Sequence, residues 1–238
     1  TKDMKNWEYK GVILDCKDIT WANDIYAAWA SQVAKYNGKY YLYFCTEEKG
    51  CKLKSIGVAV SDSPLGPFVD IGKPLVSGSI AAKVDSSSNN FIDPTVFVDN
   101  DERYLCFGGD DKNYICKLQE DMVSIEDLDK DGAIEYGKDI IVKETPENYS
   151  EAPWLYRQKD ATGNYVGEYY LFYAYSWREK IAYATTSNLI SGDWKFGSVI
   201  MQTTATSSTN HPAVIDFKGE TYLIYHNGAL PGDRKSVV

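Results

Sequence analysis

Four aromatic strand cores recur along the chain at a nearly constant interval, and a repeat of this kind constrains the fold more than any other property of the sequence. The cores are Tyr40 to Phe44, Tyr104 to Phe107, Tyr169 to Tyr173 and Tyr222 to Tyr225. Each follows a polar or glycine-bearing turn, and each turn follows a strand that opens on a polar motif. The openers are Trp29-Ala30-Ser31-Gln32, Ile92-Asp93-Pro94-Thr95, Glu151-Ala152-Pro153-Trp154 and Asn210-His211-Pro212-Ala213. The steps from Trp29 to Ile92, from Ile92 to Glu151 and from Glu151 to His211 are 63, 59 and 60 residues. A third strand (Ile56 to Val60, Ile181 to Ala184) and a polar stretch complete each repeat, which is the length of a four-stranded antiparallel blade. Packed radially, such blades cover most of the edges that a lone sheet exposes. A β-sandwich of irregular strands gives no reason for polar openers at a fixed interval.

The expected fold is all-β, a five-bladed β-propeller forming one domain over residues 1–238. Four repeats are visible, and Thr1 to Leu14 is similar to the segment beginning at Thr185, the tail of a blade. Four openers and one orphaned tail imply five blades, which at this period need roughly 300 residues. The chain is therefore expected to hold an incomplete propeller that opens inside its first blade and stops inside its last.

Composition narrows the partners. A formal charge of −9 with no clustered Lys/Arg stripe argues against nucleic acid, because phosphate neutralisation dominates such binding. No apolar run approaches the roughly 20 residues of a membrane helix, and Thr1 to Lys10 has no signal-peptide core. The 19 Tyr and 6 Trp suit strand faces and surfaces that stack on sugars. Two histidines are too few for a His-rich zinc site. The five cysteines, Cys16, Cys45, Cys51, Cys106 and Cys116, lack CxxC spacing and read as buried thiols, with a Cys45–Cys51 link across a hairpin as the alternative.

In a propeller the first strand of each blade lines the central channel, so the openers meet at one mouth and bring Trp29, Gln32, Asp93, Glu151 and His211 to one pocket. Asp93 and Glu151 stand as two carboxylates at matching blade positions. Asp93 directly precedes Pro94, and Pro153 follows Glu151 one residue later. Proline favours extended backbone and restricts the residue before it, which suits a strand entry where a carboxylate must hold its direction. Asp15 and Asp24 match no opener and read as solvated loop carboxylates.

The segments Ala28 to Val33, Phe91 to Pro94, Ser150 to Tyr156, Asn210 to Pro212 and Tyr225 to Gly228 resemble family 43 glycoside hydrolases, five-bladed propellers acting mainly on arabinose- and xylose-containing plant polysaccharides. The resemblance runs along nearly the whole chain, with the motifs in the family's order. It implies an inverting α-L-arabinofuranosidase or β-xylosidase that removes terminal or side-chain pentoses from arabinoxylan, arabinan or xylo-oligosaccharides. The alternatives are an endo-acting arabinanase and a carbohydrate-binding propeller without catalysis. Glu151 would be the general acid, and Asp93 would orient it and raise its pKa. The third carboxylate, a base activating water on the opposite sugar face, is expected upstream of Thr1, so the chain by itself is expected to lack it and to be inactive. Trp29, Gln32, His211 and Arg234 would bind substrate. No cofactor is required, although His211 could help hold a structural calcium ion in the channel through water. An extracellular or periplasmic location is favoured over a cytoplasmic one.

Overall fold

The computed structural model describes residues 1–23, 27–50, 53–84 and 90–227. Three four-stranded antiparallel sheets and one hairpin follow one another along the chain. The first comprises β1 (Ala28–Tyr36), β2 (Lys39–Glu47), β3 (Lys54–Ser61) and β4 (Val69–Asp70). The second comprises β5 (Thr95–Asp99), β6 (Glu102–Phe107), β7 (Asn113–Lys117) and β8 (Ile141–Lys143). The third comprises β9 (Tyr149–Lys159), β10 (Tyr165–Tyr175), β11 (Lys180–Thr186) and β12 (Lys195–Met201), and the hairpin pairs β13 (Ala213–Phe217) with β14 (Glu220–Ile224). Among the described residues helix is confined to a 3-10 turn at Cys16–Asp18 and to α1 (Gly78–Val84). The fold is the expected β-propeller, and the four repeats are its blades.

Each blade is a meander in which neighbours in sequence are neighbours in the sheet. The first strands adjoin one another around the channel: β1 meets β5, β5 meets β9 and β9 meets β13. Stitches at the repeat interval join them. Gln32 Oε1 accepts from the Val96 N–H, Thr95 Oγ1 accepts from the Leu155 N–H at 3.3 Å, and Trp154 Nε1 donates to the Val214 carbonyl at 2.8 Å. The partners lie 64, 60 and 60 residues apart, which is the sequence period expressed as contacts.

The cores lie between the blades. One joins Tyr43, Ile56 and Val58 of the first blade to Leu105, Phe107 and Tyr114 of the second. Another joins Phe97 and Ile115 to Leu155, Leu171 and Tyr173. The aromatic strand cores are therefore packing faces, and their polar tips are satisfied: buried Tyr43 donates to the Met122 carbonyl at 2.6 Å.

Residues 1–14 depart from the expected blade tail, because they form no strand. Ile13 and Leu14 pack on the outer cluster around Trp21, Phe44 and Phe68, and Lys218 Nζ donates to the Lys2 carbonyl at 2.7 Å. The segment so lies between the fourth blade and the first. Trp7, Tyr9 and Val12 are exposed. A strand with no neighbour to bond gains nothing to offset the entropy of ordering it.

Candidate functional site

The strand registers show how the openers are built. Trp29 pairs with Cys45 and Gln32 with Tyr43, three residues on β1 against two on β2. Glu151 pairs with Ala174 and Trp154 with Phe172, the same three against two. In the second blade Thr95 pairs with Cys106, and the Ile92 carbonyl accepts from Gly108 N at 2.9 Å. Each opener is thus a β-bulge, a device that re-aims side chains at the end of a strand. Counting back three residues from Ala213, which pairs with Ile224, places Asn210 in the same phase.

Trp29, Ile92, Glu151 and Asn210 therefore form one tier around the channel, and Ala30, Asp93, Ala152 and His211 form the next. This corrects two expectations. Asp93 and Glu151 are one residue out of phase, and the fourth-blade counterpart of Glu151 is Asn210, with His211 the counterpart of Asp93. The backbone agrees, since Asp93 and Ala152 share a positive φ, 58° and 59°. Both precede a proline, so the expected extended conformation is also corrected. The bulge imposes a left-handed turn that costs of order 1–3 kcal/mol at each residue. Contacts across the blades hold it: Asp93 Oδ2 accepts the Ala152 N–H at 3.0 Å, and His211 Nδ1 lies 3.9 Å from the same oxygen.

A pocket of about 180 Å³ opens where these tiers meet, lined by Trp29, Lys54, Asp93, Glu151, Asn210 and His211, with His226 and Thr209 also in its lining. Asp93 is buried, Glu151 half-buried, and these two are the carboxylates among the described lining residues. Behind Asp93 lies Cys45, whose thiol is pushed up to about 12 by burial and by the Asp93 charge. Tyr149 donates to the Gly108 carbonyl at 2.9 Å, and burial holds its phenol well above the ordinary tyrosine range. Gly108 cannot be replaced easily, because at φ +134° a Cβ would stand 2.2 Å from the Lys112 carbonyl oxygen.

Trp29 lines the pocket, with Lys54 Nζ 4.7 Å from its ring centroid, and it also packs against the core shared by the first two blades. Gln32 is placed elsewhere. It stitches β1 to β5 and lines a second cavity of about 250 Å³ with Trp154, Tyr156 and Asp216 at the far end of the first strands. Its position is that of Thr95 and Trp154, whose side chains do the same work in the other blades. Arg234, Asp24 and Cys51 lie outside the described residues. Asp15 is exposed and accepts from Lys17 N at 3.0 Å. Cys16, Cys45, Cys106 and Cys116 are free thiols.

Lys54, Asn210 and His226 were not foreseen as pocket residues. Lys54 opens the third strand, two residues ahead of the run Ile56 to Val60 that marks that strand in the sequence. Asn210 was legible in principle as the residue in phase with Glu151. His226 ends its aromatic core at the place of Cys45, Gly108 and Ala174, and its Nε2 lies 2.7 Å from the Thr209 carbonyl oxygen. His211 belongs to neither carboxylate cluster with metal-like spacing among the described residues. Those clusters, Asp127/Asp129/Asp139 and Asp129/Asp131/Glu135, lie on the β7–β8 connection, where Lys138 pairs with Asp129, Asp131 and Glu135.

The chain matches the profile of glycosyl hydrolases family 43 over residues 1–237. It belongs to that family. A xylosidase/arabinosidase of Bacteroides ovatus is 30% identical over 98% of this chain and 74% of its own length. The solved structure of an α-L-arabinofuranosidase from Clostridium thermocellum has a TM-score of 0.76 at 29% identity, covering 100% of this chain and 75% of that one. A family 43 β-xylosidase/α-arabinofuranosidase from a compost metagenome, solved with xylotriose in a calcium-free form, has a TM-score of 0.72 at 29% identity, covering 96% of this chain and 73% of that one. The chain is thus a family 43 glycoside hydrolase, and the pocket at the openers is its candidate active site.

Proposed function

We propose that this family 43 chain acts as an inverting, exo-acting α-L-arabinofuranosidase or β-xylosidase that takes one terminal or side-chain pentose of arabinoxylan-type polysaccharides into the Asp93/Glu151 pocket. The observation that carries the reading is the meeting of these two carboxylates in a cavity of about 180 Å³. That is below the 300–1,000 Å³ typical of sites for larger ligands and suits a single small sugar better than an open groove for a chain.

Glu151 is the general acid: its proton passes to the glycosidic oxygen as the bond to the anomeric carbon breaks. Asp93 is a positioning residue. Its charge favours the protonated form of a neighbouring acid, and its bond to the Ala152 N–H fixes the backbone that follows Glu151. Trp29 offers one ring face to the sugar, His211 is held beside Asp93, and Arg234 would reach sugar hydroxyls. An inverting mechanism also requires a base to take the proton of the water that attacks the opposite ring face, and no described lining residue is assigned to that step. A calcium ion in the channel would be reached from His211 through water and enters no step.

A second reading, a carbohydrate-binding propeller without turnover, is favoured by the count of two carboxylates among the described lining residues. One experiment separates the two: hydrolysis of 4-nitrophenyl α-L-arabinofuranoside and β-D-xyloside, with calorimetric binding of the methyl glycosides alongside. Turnover abolished by Glu151→Gln supports the glycosidase. Binding without turnover supports the second reading when it persists after an upstream strand with an Asp-Pro element is added. Restoration of hydrolysis by that strand supports the glycosidase, and neither binding nor turnover defeats both.

A further inference from the structure

We infer that Asn210 is a sugar-binding residue of this site, its carboxamide pairing with two neighbouring hydroxyls of the pentose. The inference rests on the proposed function and adds a residue that determines which sugar is held.

Asn210 is 1% exposed, and both Oδ1 and Nδ2 are buried without a hydrogen-bond partner. Buried polar atoms are nearly always paired, and an orphaned donor and acceptor on one side chain call for an explanation. The place supplies one. Asn210 lines the pocket and shares a tier with Glu151 in the adjoining blade. Its backbone is fixed, because the N–H donates to Glu179 Oε2 at 2.5 Å and Glu179 is itself buried. The flanking residues are fixed as well, His211 beside Asp93 and the Thr209 carbonyl beside His226. The side chain alone is left without partners.

The chemistry of the orphaned pair selects the ligand. A cation would satisfy Oδ1 and leave Nδ2 unpaired, whereas a carboxylate would do the reverse. A pair of adjacent hydroxyls satisfies both, one donating to Oδ1 and the other accepting from Nδ2. Pentoses present such pairs next to the anomeric carbon. In the free protein both amide atoms are shut off from solvent, so the sugar meets them after a rotamer change at the pocket wall, and the unpaired amide favours that change.

The test uses the whole 238-residue chain, with Asn210→Leu and Asn210→Ala. Affinity for methyl β-D-xylopyranoside and methyl α-L-arabinofuranoside is read by calorimetry, and unfolding temperature by circular dichroism. Leucine is close in size and leaves no polar atom unpaired, so the expected result is a loss of roughly tenfold or more in affinity for at least one glycoside with no fall in unfolding temperature. Affinity within about twofold of the parent protein in both variants overturns the inference. So does a fall in unfolding temperature in both variants together with the loss of binding, which would mark the amide as structural, held by ordered water. If the parent protein binds neither glycoside, the proposed function fails first. If it binds and the variants bind equally, only the role of Asn210 fails.

Discussion

Asp93 carries two loads, and substitution separates them. Its buried carboxylate accepts the Ala152 N–H at 3.0 Å, and its own backbone sits at φ 58°. Asp93→Ala removes a hydrogen bond to a charged group, worth about 1.5–3 kcal/mol, and leaves a buried N–H unpaired. It also puts alanine into a left-handed conformation that aspartate tolerates better, at about 1 kcal/mol more. The combined loss of about 2.5–4 kcal/mol corresponds to a fall of roughly 5–15 °C in unfolding temperature for a chain of this size. Asp93→Asn keeps an acceptor oxygen and a side chain that tolerates positive φ, and is expected to lose only about 1 kcal/mol. The charge is lost in both. On the proposed function, in which the Asp93 charge favours the protonated form of Glu151, Asp93→Asn is expected to move the alkaline limb of any turnover to lower pH. Thermal unfolding followed by circular dichroism, with pH–rate profiles, reads both effects. Equal stability of the alanine variant and the parent protein would refute the bridging role, and an asparagine variant as unstable as alanine would refute its separation from the charge.

Other consequences follow from the same geometry. Gly108→Ala forces a Cβ to within 2.2 Å of a backbone oxygen at φ +134°, so a loss of roughly 2 kcal/mol or more is expected in urea unfolding, with the Ile92 opener displaced. Arg157 pairs with buried Asp99 at 2.6 Å, and Tyr169 also donates to Asp99. Arg157→Met should cost roughly 2–4 kcal/mol by leaving a buried carboxylate without its cation, and Arg157→Met with Asp99→Asn should cost less than the single change, read as a double-mutant cycle. Burial pushes the Cys106 thiol up to about 12, with Cys45 raised to about the same value. Both are therefore neutral and unreactive near pH 8, so a thiol reagent should modify them only after denaturant is added, and rapid labelling of either in the native protein would contradict the packing.

The blade plan was legible because it rests on two periodic signals, the aromatic cores and the polar openers, and both report inter-blade packing, which repeats. Gln32 was misplaced for the same reason. A polar residue at the start of a strand looks like a pocket residue, yet the bulge advances the chain by one position, and Gln32 falls in the tier that stitches blades together with Thr95 and Trp154. The bulge is invisible in the sequence because its energetic cause lies in the neighbouring blade, at the Ala152 N–H and its carboxylate partner. Lys54 was missed since its place depends on the pairing of β3 with β2, where Lys54 faces Glu47. Asn210 was within reach, since Asn-His-Pro invites attention to histidine, but the register gives the tier of Glu151 to the residue before it.

The offset of one residue has a physical sense that two carboxylates in matching positions would lack. Two carboxylates in one tier would carry like charge at matching places, and like charge close by disfavours ionisation of both. Shifted by one place, Asp93 turns its Oδ2 to the Ala152 N–H, on the backbone that follows Glu151. That oxygen is thereby committed to the amide that follows Glu151. The repeat brings the blades together, the openers carry the same bulge, and the offset of one residue puts Glu151 in one tier and Asp93 in the next, with Asp93 Oδ2 on the Ala152 N–H.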